Sequence, residues 1–340
     1  MNTEQQTPYD RLARRLAESD SPTVTTLPDG SIDRYGTVSG DGSDALETRE
    51  ALARELLGNR AAIEFRVEAV EPGGQAVNAA EQLHELGGDV TCYGHLGHPV
   101  FDSLPFEAVS MGDPSTVYVF GFSDRDVMFV NNSAVVEWTL DELRRVGSLS
   151  DIFGGDAICC SNWVSVPGLE SAFHRLGAAD LPRIPFVFDP GDIVGSARDD
   201  IDALHDALAA LQGTFDVVYS GNREEIRTTA APLSAPAESG CDNLTAIRNA
   251  TGISAAVMHA RDEAAAATSD GRTSVETHHV ADPERHTGGG DRFSAGVAHA
   301  LACGWAWDTA LACGNTCAVY YVGSGKTGSP EDLGSFIRDQ

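Results

Sequence analysis

The sequence predicts an α/β protein: a mostly parallel sheet covered by helices, with a small β element in its first half. Three observations carry this. From about residue 139 onward, stretches of helical length alternate with short apolar runs, the pattern of a parallel sheet buried on both faces. Two β-rich runs before Trp138, joined by a short polar turn, read as a hairpin. The 340 residues, 42% hydrophobic and 22% charged, suit a globular chain with a substantial core, read here as one domain over 1–340.

Taken in order, residues 9–19 form a short charged amphipathic helix, followed by a strand at Thr23 to Leu27 and the turn-rich Pro28 to Ser31. Residues 43–58 have helical composition, with Ser43 or Asp44 as N-cap and Gly58 as stop. From Ala61 the pattern switches to alternation (AIEFRVEAVEP), a strand with one buried face. Gly73-Gly74 then opens a helix over 75–86, and a strand follows at Val90 to Gly94. Ser115 to Gly121 and Asp126 to Val130 form the hairpin. Helices are expected at 140–146, 168–176, 199–212 and 242–250, and strands at 156–160, 184–188, 215–219 and 253–258, with a Pro-, Ala- and Ser-rich loop over 229–241.

Composition excludes some functions. With 23 basic and 51 acidic side chains the formal net charge is −28 at pH 7, so the chain has no general electrostatic grip on nucleic acid or anionic lipid. Lys326 is the single lysine, and the carboxylates are spread along the chain, which resembles proteins adapted to high salt, where screening weakens the mutual repulsion of surface charge. The seven cysteines do not read as a secreted disulfide framework, and Cys313 and Cys317, four apart, read as buried small residues rather than half of a metal site. His95 and His98 read as solvated loop side chains. The N-terminal stretch has no apolar signal segment and nothing later is long enough to span a membrane, so the expectation is a soluble cytoplasmic protein.

The strongest chemical signal is Thr287-Gly288-Gly289-Gly290-Asp291-Arg292-Phe293, followed by a helix of small residues. Consecutive glycines at a helix start expose backbone N–H groups at the positive end of the helix dipole, a cradle for a phosphate or a developing oxyanion. A carboxylate directly behind that cradle would repel an anion that was merely bound. It makes sense as a base that takes the proton of a hydroxyl attacking phosphorus, although a glycine loop with Asp291 as helix cap reads equally well in isolation. Upstream, Gly73-Gly74 with Asn78 one turn into a helix would let a polyol approach the backbone, and Asp33 lies just past the first strand, at the edge where α/β sheets bind ligands.

In this order, from about Val24 to Phe336, these segments resemble the PfkB (ribokinase-like) family of sugar and nucleoside kinases. GGQAVNAAEQLHELGGDVTCYGHLG is similar to the family's N-terminal signature, and HTGGGDRFSAGVAHALACGWAWDTALACGN to its C-terminal one. Asn222-Arg223-Glu224-Glu225 matches its NxxE motif, and Phe188-Asp189-Pro190 its strand-ending Asp-Pro. The resemblance implies a ribokinase-like three-layer α/β/α fold with a β lid formed by segments around 33–40, 61–72 and 113–131. It implies Asp291 as catalytic base, Thr287, Gly288, Gly289 and Gly290 as the phosphate-binding anion hole, and Asp33, Gly73, Gly74 and Asn78 as the acceptor-binding set. Asn222, Glu225 and Asn315 would serve the nucleotide, the first two also organising Mg2+ through water. The implied ligands are a small sugar, sugar acid or nucleoside and ATP as co-substrate.

The chain also departs from the family. Val257 to Ala264 lacks the glycines of the turn that touches the donor phosphates, with Arg261 as a substitute contact, and Arg285 stands where relatives place an acidic residue near a monovalent cation. Gly97-His98-Pro99 replaces an acidic pair. The 43–58 insertion leaves a homodimer joined through the lid open. A sugar-phosphate kinase, with Arg34 or Arg125 as acceptor cation, and a non-catalytic binding protein on the same fold are the competing readings.

The salt-adapted reading has a direct consequence: the melting temperature should rise substantially between low and molar KCl in a thermal unfolding series, whereas an unchanged value would identify an ordinary acidic protein.

Overall fold

A computed structural model describes residues 6–340 apart from 19, 41–43, 60, 61, 124, 133, 234–238, 282 and 286. The larger of its two sheets contains nine strands: β1 (Thr23–Leu27), β4 (Asp89–Gly94), β5 (Glu107–Ser110), β8 (Ala157–Ser161), β9 (Pro185–Asp189), β10 (Asp216–Asn222), β11 (Ala255–His259), β12 (Glu263–Thr268) and β13 (Gly271–Glu276). Their order is β13-β12-β11-β10-β9-β8-β1-β4-β5, parallel except where β12 and β13 return as an antiparallel meander. The smaller sheet, in the order β3-β2-β6-β7, joins β2 (Ser31–Ser39), β3 (Glu64–Gly73), β6 (Ser115–Phe120) and β7 (Val127–Asn131).

Helices cover both faces of the large sheet. On one side lie α4 (Leu140–Val146), α5 (Leu149–Ile152), α6 (Gly168–Leu176), α7 (Arg198–Leu211), α8 (Arg223–Ala230) and α9 (Gly240–Thr251), over a core rich in phenylalanine. On the other lie α1 (Pro8–Arg15), α3 (Gln75–Glu85), α10 (Gly289–Ala302), α11 (Trp307–Ser324) and α12 (Pro330–Arg338), over a core of alanine, valine and cysteine. The period of two feeds both: Phe186 and Phe188 of β9 enter the first core while Val187 enters the second. Cys313 and Cys317 are buried and all seven cysteines are free, as their reading as small apolar residues requires.

The expected helix over 43–58 is shorter. Ser43 lies outside the described residues, and α2 (Arg49–Leu57) begins after Thr48, whose hydroxyl accepts from the Ala51 amide at 3.2 Å. The preceding residues pair instead with the end of β2, the Leu46 amide donating to the Val38 carbonyl at 2.8 Å. Gly58 caps the helix as expected. His95 overturns its reading as a solvated side chain: it is 1% exposed, with Nδ1 3.3 Å from the Pro28 carbonyl oxygen. His98 starts a single 3-10 turn, its Nδ1 accepting from the Val100 amide.

Helices α10 and α11 cross where Gly296 meets Gly314: a methyl group built on Gly296 would lie 3.0 Å from the Gly314 Cα. Gly296→Val should therefore force the helices apart and lower stability by about 1–3 kcal/mol in denaturant titrations at high salt; an unaffected midpoint would mean the crossing has slack.

Candidate active site

The site forms where the C-terminal ends of the central parallel strands meet the first turns of α3 and α10. Gly288 adopts φ +82°, a conformation that costs a side-chain-bearing residue energy, and turns the chain into α10. No side chain caps this helix. The N–H groups of its first turn, at Gly289, Gly290 and Asp291, have no partner within the helix and stand at its positive end. Thr287 immediately precedes the turn. Behind it, Arg292 is 3% exposed, ion-paired to Glu81 at 2.9 Å, donating to the Gly288 carbonyl at 3.4 Å and lying 3.9 Å from the Tyr321 ring centroid.

Asp291 is the third residue of α10, and its carboxylate turns away from capping toward α3. Its Oδ1 accepts from Gln75 Nε2 at 3.0 Å and its Oδ2 from Asn78 Nδ2 at 2.7 Å. The reading of Asp291 as a helix cap is thereby overturned. Burial, reinforced by the nearby Asp189 charge, pushes its pKa up to about 7, against the opposing pull of Arg292, Asn78 and Gln75.

Asp291 belongs to a cluster of raised carboxylates. Burial holds Asp189 at about 6 although its Oδ1 accepts from the Gly191 amide at 3.0 Å and its Oδ2 from Ser294 Oγ at 3.3 Å. Glu225 is pushed to about 8, first by burial and then by Asp189. Asn222 and Glu225 form a reciprocal cap on α8: Asn222 Oδ1 accepts from the Glu224 and Glu225 amides, and Glu225 Oε2 accepts from the Asn222 amide at 2.7 Å. No three such side chains among the described residues are grouped to hold a metal ion by themselves. The carboxylate cluster nevertheless fits a hard divalent cation whose remaining ligands are phosphate and water oxygens, because such a cation relieves their mutual repulsion.

The residues expected to bind the acceptor also lie together. A methyl group at Gly73 would run into the Asp33 carboxylate, and Gly74, at φ +101°, sits against the Gly30 backbone. Asp33 accepts from Ser31 Oγ at 2.5 Å, and burial raises its pKa to about 6. Asn78 links this set to Asp291. Arg34 follows Asp33 on β2 and so faces the opposite side of the small sheet, 6.0 Å from the Tyr118 ring centroid. Arg285 is the cation on Asp33's side: it lies 4.6 Å from the Tyr35 ring centroid, 3.6 Å from Glu71, and its charge draws the Asp33 pKa down. Arg261 is exposed in the turn between β11 and β12.

Three groups escaped the sequence reading. Asp29, 4% exposed, accepts from the Gln75 and Ala76 amides at 3.1 and 2.8 Å and from Asn162 Nδ2 at 2.8 Å, capping α3 from the end of β1. Gln75 was visible only as part of a signature, and Asn162, at φ 65°, carried no local signal. Asn315, expected beside the nucleotide, is 2% exposed and donates to the Tyr9 hydroxyl at 3.3 Å.

Comparison with known proteins follows this geometry. The family model described as prokaryotic ketohexokinase matches residues 45–340. A ketohexokinase from Haloferax volcanii is 26% identical, over 91% of this chain and 88% of that protein. Among solved structures, ribokinase from Thermotoga maritima superposes with TM-score 0.69 at 14% identity, covering 93% of this chain and 99% of that one. The nucleoside kinase of Methanocaldococcus jannaschii gives 0.67 at 12% identity, covering 95% and 100%, and phosphofructokinase-2 of Escherichia coli gives 0.66 at 15%, covering 94% and 99%. The fold is that of the ribokinases, and the chain belongs to the prokaryotic ketohexokinase family, within the PfkB (ribokinase-like) kinases.

Proposed function

We propose that this protein transfers the γ-phosphate of ATP to a primary hydroxyl of a ketohexose or a similarly small sugar, with Asp291 as general base. The observation that carries the reading is the Asp291 carboxylate, fixed by Gln75 and Asn78 beside the uncapped start of α10 and poised near neutrality. The ketohexose class follows from the matched family and from the Haloferax relative's name.

In this mechanism the sugar lies between Asp33 and the backbone at Gly73-Gly74. Asn78 and Gln75 hold Asp291 so that one carboxylate oxygen can receive the hydroxyl proton as the new O–P bond forms and the bond to the leaving ADP oxygen breaks. The N–H groups of the Gly288 to Gly290 turn take up charge on the transferring phosphoryl oxygens, and Thr287 lines the same turn. Mg2+ held near Asn222, Glu225 and Asp189, through water, would neutralise phosphate charge. The proton then leaves Asp291 to solvent.

An anionic acceptor, such as a sugar phosphate or sugar acid, finds support in Arg285 rather than in Arg34 or Arg125. A purely binding protein would leave the uncapped turn at Gly288 and the costly buried Asp291 without a purpose. Apolar side chains exposed on the small sheet, Phe65 and Val70 of β3 and Met128, Phe129 and Val130 of β7, support self-association through this lid. Seven free thiols and an ATP donor suit a cytoplasmic setting. Among the described residues no helix is long and apolar enough to cross a membrane.

Asp291→Asn should lower turnover with a ketohexose by about two to four orders of magnitude while calorimetric nucleotide binding survives; undiminished turnover would remove Asp291 from the chemistry. Because the base must be ionised, kcat/KM for the sugar should climb with pH through the neutral region, with its midpoint near 7. The same shift has a stability counterpart. A carboxyl whose folded pKa is raised favours the fold most when protonated, and this contribution is lost as pH rises from about 4 through the folded value. Asp291→Asn should therefore melt higher than the parent at pH 8 without ligands, the opposite of what loss of a stabilising salt bridge would give.

A further inference from the structure

Arg292, next after Asp291 on α10, is 3% exposed and so acts only through its neighbours. Its guanidinium lies among four segments. Nη2 pairs with Glu81 of α3 at 2.9 Å, and Nη1 donates to the Gly288 carbonyl at 3.4 Å. Thr327 Oγ1, in the loop after α11, stands 3.5 Å from Nη2, and the Tyr321 ring of α11 lies against the guanidinium carbon. Nε is buried without a hydrogen-bond partner. A buried arginine with a donor left over is a poor way to fill a core of alanine and valine, since an apolar pair of similar volume is often as stable. Stability alone does not call for it.

Gln75, Asn78 and Glu81 stand three residues apart on α3, along one ridge of the helix. The first two hold the Asp291 carboxylate and the third holds Arg292, so this ridge grips two consecutive residues of α10. The ion pair lies roughly 4.5 Å further along α3 than Asn78, far enough to stop the helix pivoting about the Asp291 contacts. On the other arm of the fork is the Gly288 carbonyl. In a planar trans peptide the N–H points opposite to the carbonyl, so the Gly289 N–H is aimed away from Arg292 and out of the helix start. A methyl group on Gly288 would lie 3.2 Å from Nη1 and 3.3 Å from Tyr321 Cε1, so the turn rests directly on these two side chains.

We propose that Arg292 is a positioning residue: its single guanidinium sets how α3 and α10 stand at Asp291 and which way the amides of the Gly288 to Gly290 turn face. The proposal rests on the kinase reading. A base and a phosphoryl cradle work only when placed accurately against each other, because an error of about 1 Å costs on the order of 100-fold in rate. Arg292 ties both to one rigid plane. Lysine cannot replace it, since a single ammonium on a flexible stem lacks the fork that reaches Glu81 and Gly288 together.

The test compares the parent with Arg292→Lys and with the double variant Arg292→Met, Glu81→Gln, which leaves no unpaired charge behind the turn, all at molar KCl. Thermal melting reports stability and turnover reports transfer from ATP to a ketohexose. Calorimetry gives the affinity for ADP with Mg2+ alone and for the same mixture with sugar and aluminium fluoride. The double variant should melt close to the parent, bind ADP as the parent does, and lose about 10- to 100-fold in turnover and in affinity for the fluoride complex. Arg292→Lys should lose nearly as much although its charge is kept, and it carries the same comparison if the double variant does not fold. Parental turnover in a folded variant would overturn the proposal. So would an equal loss of affinity with and without fluoride, which would make Arg292 a determinant of donor binding. Crystal structures of parent and variant decide the matter without reference to activity: the Asn78 to Asp291 hydrogen bond should lengthen and the Gly288 peptide should rotate, and an unmoved turn would overturn the proposal. If the parent transfers phosphate to no sugar, the kinase reading fails while that structural comparison still decides the role of Arg292.

Discussion

A single buried carboxylate sets the terms for this structure. Asp291 is drawn between the first turns of α3 and α10 by Gln75 and Asn78, and the fold keeps it there against desolvation and the charge of Asp189. Such a group is costly to bury ionised, and two amide donors offset only part of that cost. The arrangement becomes intelligible if proximity to neutral pKa is what the fold provides: a base able to accept a proton during reaction and to lose it afterwards.

The surroundings serve the same end. Asp29 caps α3 from the end of β1 and thereby fixes where Gln75 and Asn78 point. Arg292 anchors the far side of the glycine turn through the Gly288 carbonyl, Glu81 and Tyr321, leaving the N–H side open. Small residues along α10 and α11 allow the two helices to approach closely, which presents the turn at a fixed height above the strand ends. Arg285 reaches from the loop before the turn to Tyr35 and Glu71 of the small sheet, so the small sheet and the glycine turn share a structural member.

Much of this was legible from local pattern. The strands over β1, β8, β9 and β10 follow from apolar runs, the small-sheet hairpin from alternation, and the convergence of Asp33, Gly73, Gly74 and Asn78 with Asp291 from motifs whose order in the chain is informative. What stayed hidden depends on distant partners. Glu263–Thr268 is four alanines between polar ends, a composition that favours a helix, and it is a strand because β11 and β13 pair with it while α9 and α11 leave room only for small side chains. Asp29 looked like a turn residue, because the amides it caps lie 46 and 47 positions away. The Asn222 and Glu225 pair was read toward the nucleotide, whereas its visible hydrogen bonds cap α8, and no local pattern reveals that Glu225 shares its burial with Asp189. Tyr9 gave no signal at all before its helix was seen against α11.

The most direct test of the central claim is a crystal structure with a ketohexose, ADP, Mg2+ and aluminium fluoride, in which the fluoride occupies the position of the transferring phosphoryl group. The account predicts fluoride against the amides of the Gly288 to Gly290 turn and an Asp291 oxygen about 3 Å from the sugar's primary hydroxyl. A sugar hydroxyl in line with the fluoride but served by another group, with Asp291 still bound only to Gln75 and Asn78, would contradict it.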